Sequence, residues 1–211
     1  MNRFGSALCV LSLLVFSTAG WAGDLPPQRD DAAIVKVVAD SNEAAKKGDW
    51  QRYADFVDPQ SLADYKKMWQ PALTAAAKQG PDQQAELLKL FDNAADLKSI
   101  MALKPREFLA ASMKGMAAQF KQGPVNPQNA DHKVIGVVHD GEDQAYVVVR
   151  MSQKFGTAEM TKVDVVGVKR SGAEWRMELP DVVRTLAETM GRILPNVEKA
   201  DRATIPDVPK K

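Results

Sequence analysis

Cysteine is all but missing from this chain. One occurs among 211 residues, Cys9, and it lies inside an N-terminal apolar segment. The rest of the chain can therefore form no disulfide, offer no thiol nucleophile and build no cysteine–zinc site. Histidine is nearly as scarce, with only His132 and His139. No HExxH pattern, phosphate-binding loop, glycine-rich dinucleotide fingerprint or nucleophile elbow is present, so nothing in the sequence predicts a metal or a cofactor. Net charge is also lacking, with 28 bases against 27 acids. That balance argues against a general electrostatic grip on nucleic acid or anionic lipid. Lys66-Lys67 and Lys169-Arg170 are too short for a nucleic-acid stripe, which would need a longer basic run with interleaved aromatics.

What is there begins at the N-terminus. Arg3 precedes an uncharged run with its apolar centre at Leu8 to Phe16, and small residues follow at Gly20 and Ala22. A basic start, a short apolar stretch and a small-x-small site read as a secretory signal peptide cut after Ala22. An uncleaved anchor is the alternative, since a span needs roughly 20 apolar residues. Here Gly, Ser and Thr dilute the run outside its short centre. A lipid-modified Cys9 is not expected, because Ser6 and Leu8 occupy the positions where a Leu-like and a small residue are required. Cleavage removes one base and no acid, which leaves 189 residues with formal charges in balance. That length suits one domain that buries most of its unfolded surface without disulfides. The lack of cysteine fits a periplasmic location, and no membrane span is expected after cleavage.

The expected organisation is a signal peptide over 1–22, a flexible Pro-rich leader over 23–30, a single α+β domain over 31–195 and a disordered tail over 196–211. Helical periodicity predicts helices over 31–47, 50–57, 61–79, 82–93 and 106–120. Gly48 is placed to end the first helix, and Asp49 to cap the second. Pro71 is a candidate bend or break in the third. Residues 94–104 read ambiguously. After His132 the period changes from 3.6 to 2, predicting strands over 133–139, 144–155, 158–170 and 175–179. Asp140-Gly141 and Ser171-Gly172 mark hairpins. A last helix is expected over 181–194, ended by Pro195.

With Gly156-Thr157-Ala158 taken as the middle hairpin loop, Met151 would face Val163, Val149 would face Val165, and Arg150 would face Asp164. Both sheet surfaces would then be apolar at their centres. One would take the helices, and the other a lid, a pocket or a second subunit. The odd separation of the two histidines would put them on opposite faces of a regular strand, away from any shared metal site.

Ala44-Ala45-Lys46-Lys47-Gly48-Asp49-Trp50, followed by Tyr53 and Phe56, then further helices and a meander ending in Glu174-Trp175-Arg176-Met177, resembles the NTF2-like (SnoaL-like) superfamily. The resemblance spans roughly residues 31–179. It implies an α+β fold with N-terminal helices packed on a four-stranded curled antiparallel sheet, closed into a cone around a cavity. In some members of the family that cavity serves catalysis, and in many it serves only binding. The helical section from 61 to 120 is longer than the family core, and a helix follows the last strand.

The candidate pocket residues are Tyr53, Trp69, Tyr146, Arg150 and Asp164. Aromatics with a few polar anchors are the usual lining of a small-molecule site. The alternatives are plain core for Tyr53 and Trp69, and a structural cross-strand ion pair for Arg150 with Asp164. A sheet apolar on both faces and the lack of a catalytic set, behind a signal segment, suggest an exported, non-enzymatic protein that binds an apolar small molecule or a protein partner, with a homodimer among the expected partners. A small SnoaL-like hydrolase or isomerase using Asp164 with Tyr146 or Arg150, and an immunity or inhibitor protein directed at a secreted toxin or envelope enzyme, are the other readings.

Overall fold

Capping chemistry, written locally in the sequence, starts and stops the helices. In the computed structural model, which describes residues 31–120, 130–155 and 158–190, α1 (Asp31–Lys47) carries an acid in its first turn and two lysines in its last. Both placements suit the helix dipole. Gly48, at φ 71°, takes the left-handed position. The Gly48 and Asp49 amides then donate to the Ala45 and Ala44 carbonyls at 3.0 and 2.9 Å, a Schellman ending. Asp49 at once caps α2 (Trp50–Asp55), accepting from the Arg52 amide at 3.0 Å. Asp58 caps α3 (Pro59–Ala76) by accepting from the Ser61 amide at 2.8 Å. α3 runs through Pro71 without ending there. After α4 (Pro81–Lys89), the ambiguous stretch resolves into α5 (Leu97–Ala102), started by an Asp96/Ser99 capping box. α6 (Pro105–Phe120) packs against α2 and α3.

The strands β1 (Ala130–Asp140), β2 (Gln144–Phe155), β3 (Ala158–Ser171) and β4 (Glu174–Met177) form an antiparallel meander in the order β1-β2-β3-β4. A last helix, α7, is present over 181–190, and its expected continuation to 194 lies outside the described residues. The architecture is therefore α+β: helices, then a four-stranded antiparallel sheet, then a C-terminal helix. The leader, the tail and the signal segment also lie outside the described residues.

α1 lies on the sheet and contacts β1, β2 and β4. It is held at both ends. Asp31 Oδ1 is 2.5 Å from His139 Nε2, and Lys46 Nζ is 2.8 Å from Asp131 Oδ1. At its middle the buried Ser41 hydroxyl meets Met177 Sδ at 2.9 Å. The outer edge of β4 is closed by a parallel bridge, in which the Met177 amide donates to Phe56 and the Asp58 amide to Met177, both at 2.8 Å. Closing an edge in this way removes a site of unwanted strand pairing. The helical layer has its own aromatic centre: Tyr65, Trp69, Phe91 and Phe108 pack ring to ring at centroid distances of 4.9–6.3 Å, each essentially fully buried.

The β2–β3 register differs from the sequence expectation by one residue. Phe155 pairs with Ala158, so Arg150 faces Val163 and Val149 faces Asp164. The cause is the hairpin, whose strands pair up to Phe155 and Ala158 and leave two connecting residues, where a three-residue loop was expected. A one-residue slip moves a whole strand's side chains to the opposite face. Arg150 and Asp164 therefore lie on opposite faces of the sheet and do not form the expected cross-strand pair.

β1 holds a second departure. A bulge between Val134 and Gly136 inserts Ile135 as an extra residue. Parity changes across the bulge. His132, opposite Met151, and His139, opposite Ala145, consequently share one face, contrary to the alternation expected of a regular strand. They still stand seven positions apart, at opposite ends of β1, which is too far for one metal ion.

The two faces are thus defined. The inner one carries the buried Ala145, Val147, Val149, Val168, Trp175 and Met177. The outer one carries Lys133, Val138, Val148, Arg150, Val163 and Val165.

Candidate functional site: the outer face of the sheet

The five residues singled out from sequence do not converge. Tyr53 is buried on α2, edge-on to Trp50 at 6.0 Å, and burial, with the nearby Tyr65 phenol, pushes its phenol up to about 12. Trp69 is fully buried on α3 in the aromatic centre. Tyr146 and Arg150 belong to the outer face, where the Tyr146 hydroxyl accepts from Gln144 Nε2 at 3.1 Å. Asp164 belongs to the inner face and is ion-paired with Lys162 at 3.0 Å. The structure brings Tyr146 and Arg150 to one surface and leaves the other three elsewhere.

Two open clefts flank α1. The first, about 560 Å³, lies between α1, α2 and β4. Its charges are largely used internally: Lys36 pairs with Asp40 at 2.6 Å, Asp55 with Arg106 at 2.5 Å, and Arg176 with Glu174 and the Asp55 carbonyl. The second, about 480 Å³, lies between α1 and β1 and is lined by Asn42, Lys46, Asp131, His132 and Lys133 among others. Burial holds the His132 imidazole below its ordinary pKa, outweighing a hydrogen bond with the Ala130 backbone and the pull of Asp131. It is therefore neutral at pH 7. Among the described residues, no group of three or more His, Cys, Asp and Glu side chains is arranged to hold a metal ion.

The feature that sequence reasoning did not assemble is the outer face itself. Ile135, Val138, Val163 and Val165 are 43, 57, 55 and 54% exposed. Register and bulge place all four around the half-buried Val148. Single exposed valines are ordinary, but a group of them on one sheet face is a candidate contact surface. Its borders are polar. Lys133 and Arg150 sit directly opposite each other across β1 and β2. Beside them Ser152 and Thr161 pair across β2 and β3, with their hydroxyls 3.3 Å apart. A signal was available in the sequence, since both strand faces are rich in valine. Its assignment to particular residues required the true register.

Comparison with known proteins gives a fold neighbour and no family. No family model matches the chain. No curated protein matches it either. A solved structure described as an NTF-2-like protein of unknown function from Shewanella oneidensis MR-1 is similar, at 15% identity and a TM-score of 0.34, over 70% of this chain and 93% of that one. The class defined by the coordinates is an α+β protein whose antiparallel meander is covered by α1 on one face and carries an exposed valine field on the other.

Proposed function

We propose that this chain is an exported, non-enzymatic binding protein that uses the outer face of its sheet to hold a protein partner. The single observation that carries the reading is the exposed group Ile135, Val138, Val163 and Val165 on one surface. Burying such side chains is worth roughly 25 cal/mol per Å² of apolar area, which is the usual driving term for association. A protein partner is favoured over a small apolar molecule because the valine field lies on an open face, while Tyr65, Trp69, Phe91 and Phe108 pack against one another. Separation of Arg150 from Asp164 removes the polar pair on which the small-enzyme reading relied. Export rests on the composition of residues 1–22.

Two measurements test it. N-terminal sequencing of protein recovered from the periplasm should begin at Gly23, and a mature chain that retains Met1 or stays in the cytoplasm would remove the export part. A photo-crosslinking residue in place of Val165, in living cells, should give a discrete protein adduct that weakens when Val138 and Val163 are replaced by Asp. The same probe at exposed Glu86 should give none. Equal labelling at both positions would overturn the assignment of the face.

A further inference from the structure

We infer that the cleft between α1, α2 and β4 is a binding site for a small monocarboxylate with a flat apolar body. This site is separate from the outer face of the sheet, and the inference does not depend on how that face is read.

The ion pairs of the cleft leave one cation over. Lys36, Arg52 and Arg176 line it together with Asp40, Asp55 and Glu174. Lys36 is answered by Asp40 at 2.6 Å, and Arg176 by Glu174. Asp55 is taken by Arg106, a residue of α6 outside the lining, through hydrogen bonds of 2.5 and 3.0 Å. Arg52 therefore has no acid partner among the described residues. Its guanidinium is held instead against the Phe56 ring, 5.0 Å from the centroid. Stacking of this kind preorganises the planar fork, so less freedom is lost when it closes on a carboxylate. Arginine and carboxylate then meet through paired, charge-assisted hydrogen bonds, which are the strong ones.

The apolar part of the lining suits a flat molecule. Val37 and Trp175 are buried and Phe56 is half-buried, so two of these three walls are aromatic. Trp175 Nε1 is buried with no hydrogen-bond partner among the described residues, a second unmet donor in a residue of this lining. A cleft of about 560 Å³ with aromatic walls and a few polar groups has the size and make-up of a small-molecule site.

The charge count selects the ligand class. A phosphate ester carries up to two negative charges near neutrality, and the second would meet Asp40 and Glu174 with no cation free to answer it. A neutral apolar molecule would leave the Arg52 guanidinium unanswered. The ammonium of a zwitterion would find every acid of the lining already paired. One carboxylate on an apolar body meets the surplus without exceeding it.

Nuclear magnetic resonance titration of the purified full chain with 2-naphthoate tests the site. The probe should move the Trp175 indole and the Phe56 amide resonances along one saturating curve. 2-Naphthamide keeps the shape without the charge and should bind at least about tenfold more weakly, as should 2-naphthyl phosphate. Arg52→Gln should bring 2-naphthoate down to the level of the amide, with an unchanged circular dichroism spectrum and unchanged affinity for the amide. Arg52→Lys keeps the charge without the fork and should fall between. No saturable shift, equal affinity for naphthoate and naphthamide, or full binding by Arg52→Gln would overturn the inference. Tighter binding of the phosphate would overturn the ligand class. Shifts confined to Val138, Val163 and Val165 would move the ligand to the outer face and overturn this site.

Discussion

Asp58 and Lys169 meet at 2.9 Å where the helical layer joins the sheet, with the Asp58 side chain 6% exposed and Lys169 32%. The same carboxylate caps α3, and its backbone amide donates to Met177 on β4. One residue thus starts a helix, closes a sheet edge and answers a charge from β3. Burial alone would raise its pKa. The hydrogen bonds from Lys169 and Ser61, with the Lys169 charge, outweigh that and hold it below the ordinary carboxylate value.

Replacing Asp58 with Ala should therefore cost about 2–3 kcal/mol in urea unfolding, combining a lost cap with a part-buried cation left without its acid. The pH dependence has a definite sign. A depressed carboxyl stabilises the fold above its unfolded value, about 3.9, and that contribution fades as pH falls through the lower folded value. Stability of Asp58→Asn should consequently fall less steeply than wild type below about pH 4. Parallel curves would contradict the role given to this carboxylate.

Gly115 makes a second prediction through backbone contact. A Cβ at this position on α6 would lie 2.4 Å from the Leu90 carbonyl carbon and oxygen and 2.7 Å from the Asp92 amide nitrogen. Helix propensity alone would make Ala better than Gly by about 1 kcal/mol. Overpacking against backbone wins here, so Gly115→Ala should lower thermal stability, at a net cost of about 1–3 kcal/mol. A stabilised variant would show that α6 and the end of α4 stand further apart.

The hydroxyls of Tyr65 and Ser112 lie 2.9 Å apart in the helical core, and both residues are fully buried. Removing only the Ser112 hydroxyl strips the buried phenol of that bond, so Ser112→Ala should cost about 1–3 kcal/mol. In a double-mutant cycle, adding Tyr65→Phe should recover much of the loss, because both polar groups then leave together. Strict additivity of the two single changes would argue against the bond.

His132 carries the fourth prediction. Burial depresses its pKa, so its imidazole resonances should titrate with a midpoint below the ordinary value near 6.5. The neutral ring's contribution is present above that ordinary value and is lost as pH falls through the folded one. His132→Gln should therefore flatten the stability profile on the acid side of neutrality. A midpoint at or above 6.5 would place the ring in solvent.

The helices were legible because their signals are local. The apolar face of α1 at Ile34, Val37, Val38, Ser41 and Ala44, the stop at Gly48 and the cap at Asp49 are written within one stretch of chain, and the structure uses all of them. α5 was not legible. Its start depends on the Asp96/Ser99 capping box, and its placement on burying Leu97 and Ile100 against the core. Strand existence was legible from the period-2 pattern, but strand pairing was not. Cross-strand matching of apolar with apolar favoured the other register, because the observed one sets Val149 opposite Asp164, Arg150 opposite Val163 and Met151 opposite Lys162. The expected pocket failed to assemble for that reason, since Tyr146, Arg150 and Asp164 were assigned faces by a loop length that the hairpin does not have.

By itself, the sequence determined composition and order: a chain with one cysteine and a formal net charge of only +1, capped helices first and an alternating meander after them. Those properties are set by neighbours along the chain, where caps, turns and periodicity act within a few residues. Tertiary structure alone decided which side chains share a surface. One bulged residue at Ile135 and one residue in a hairpin each reverse the parity of everything beyond them, and only pairing in three dimensions fixes where that reversal falls.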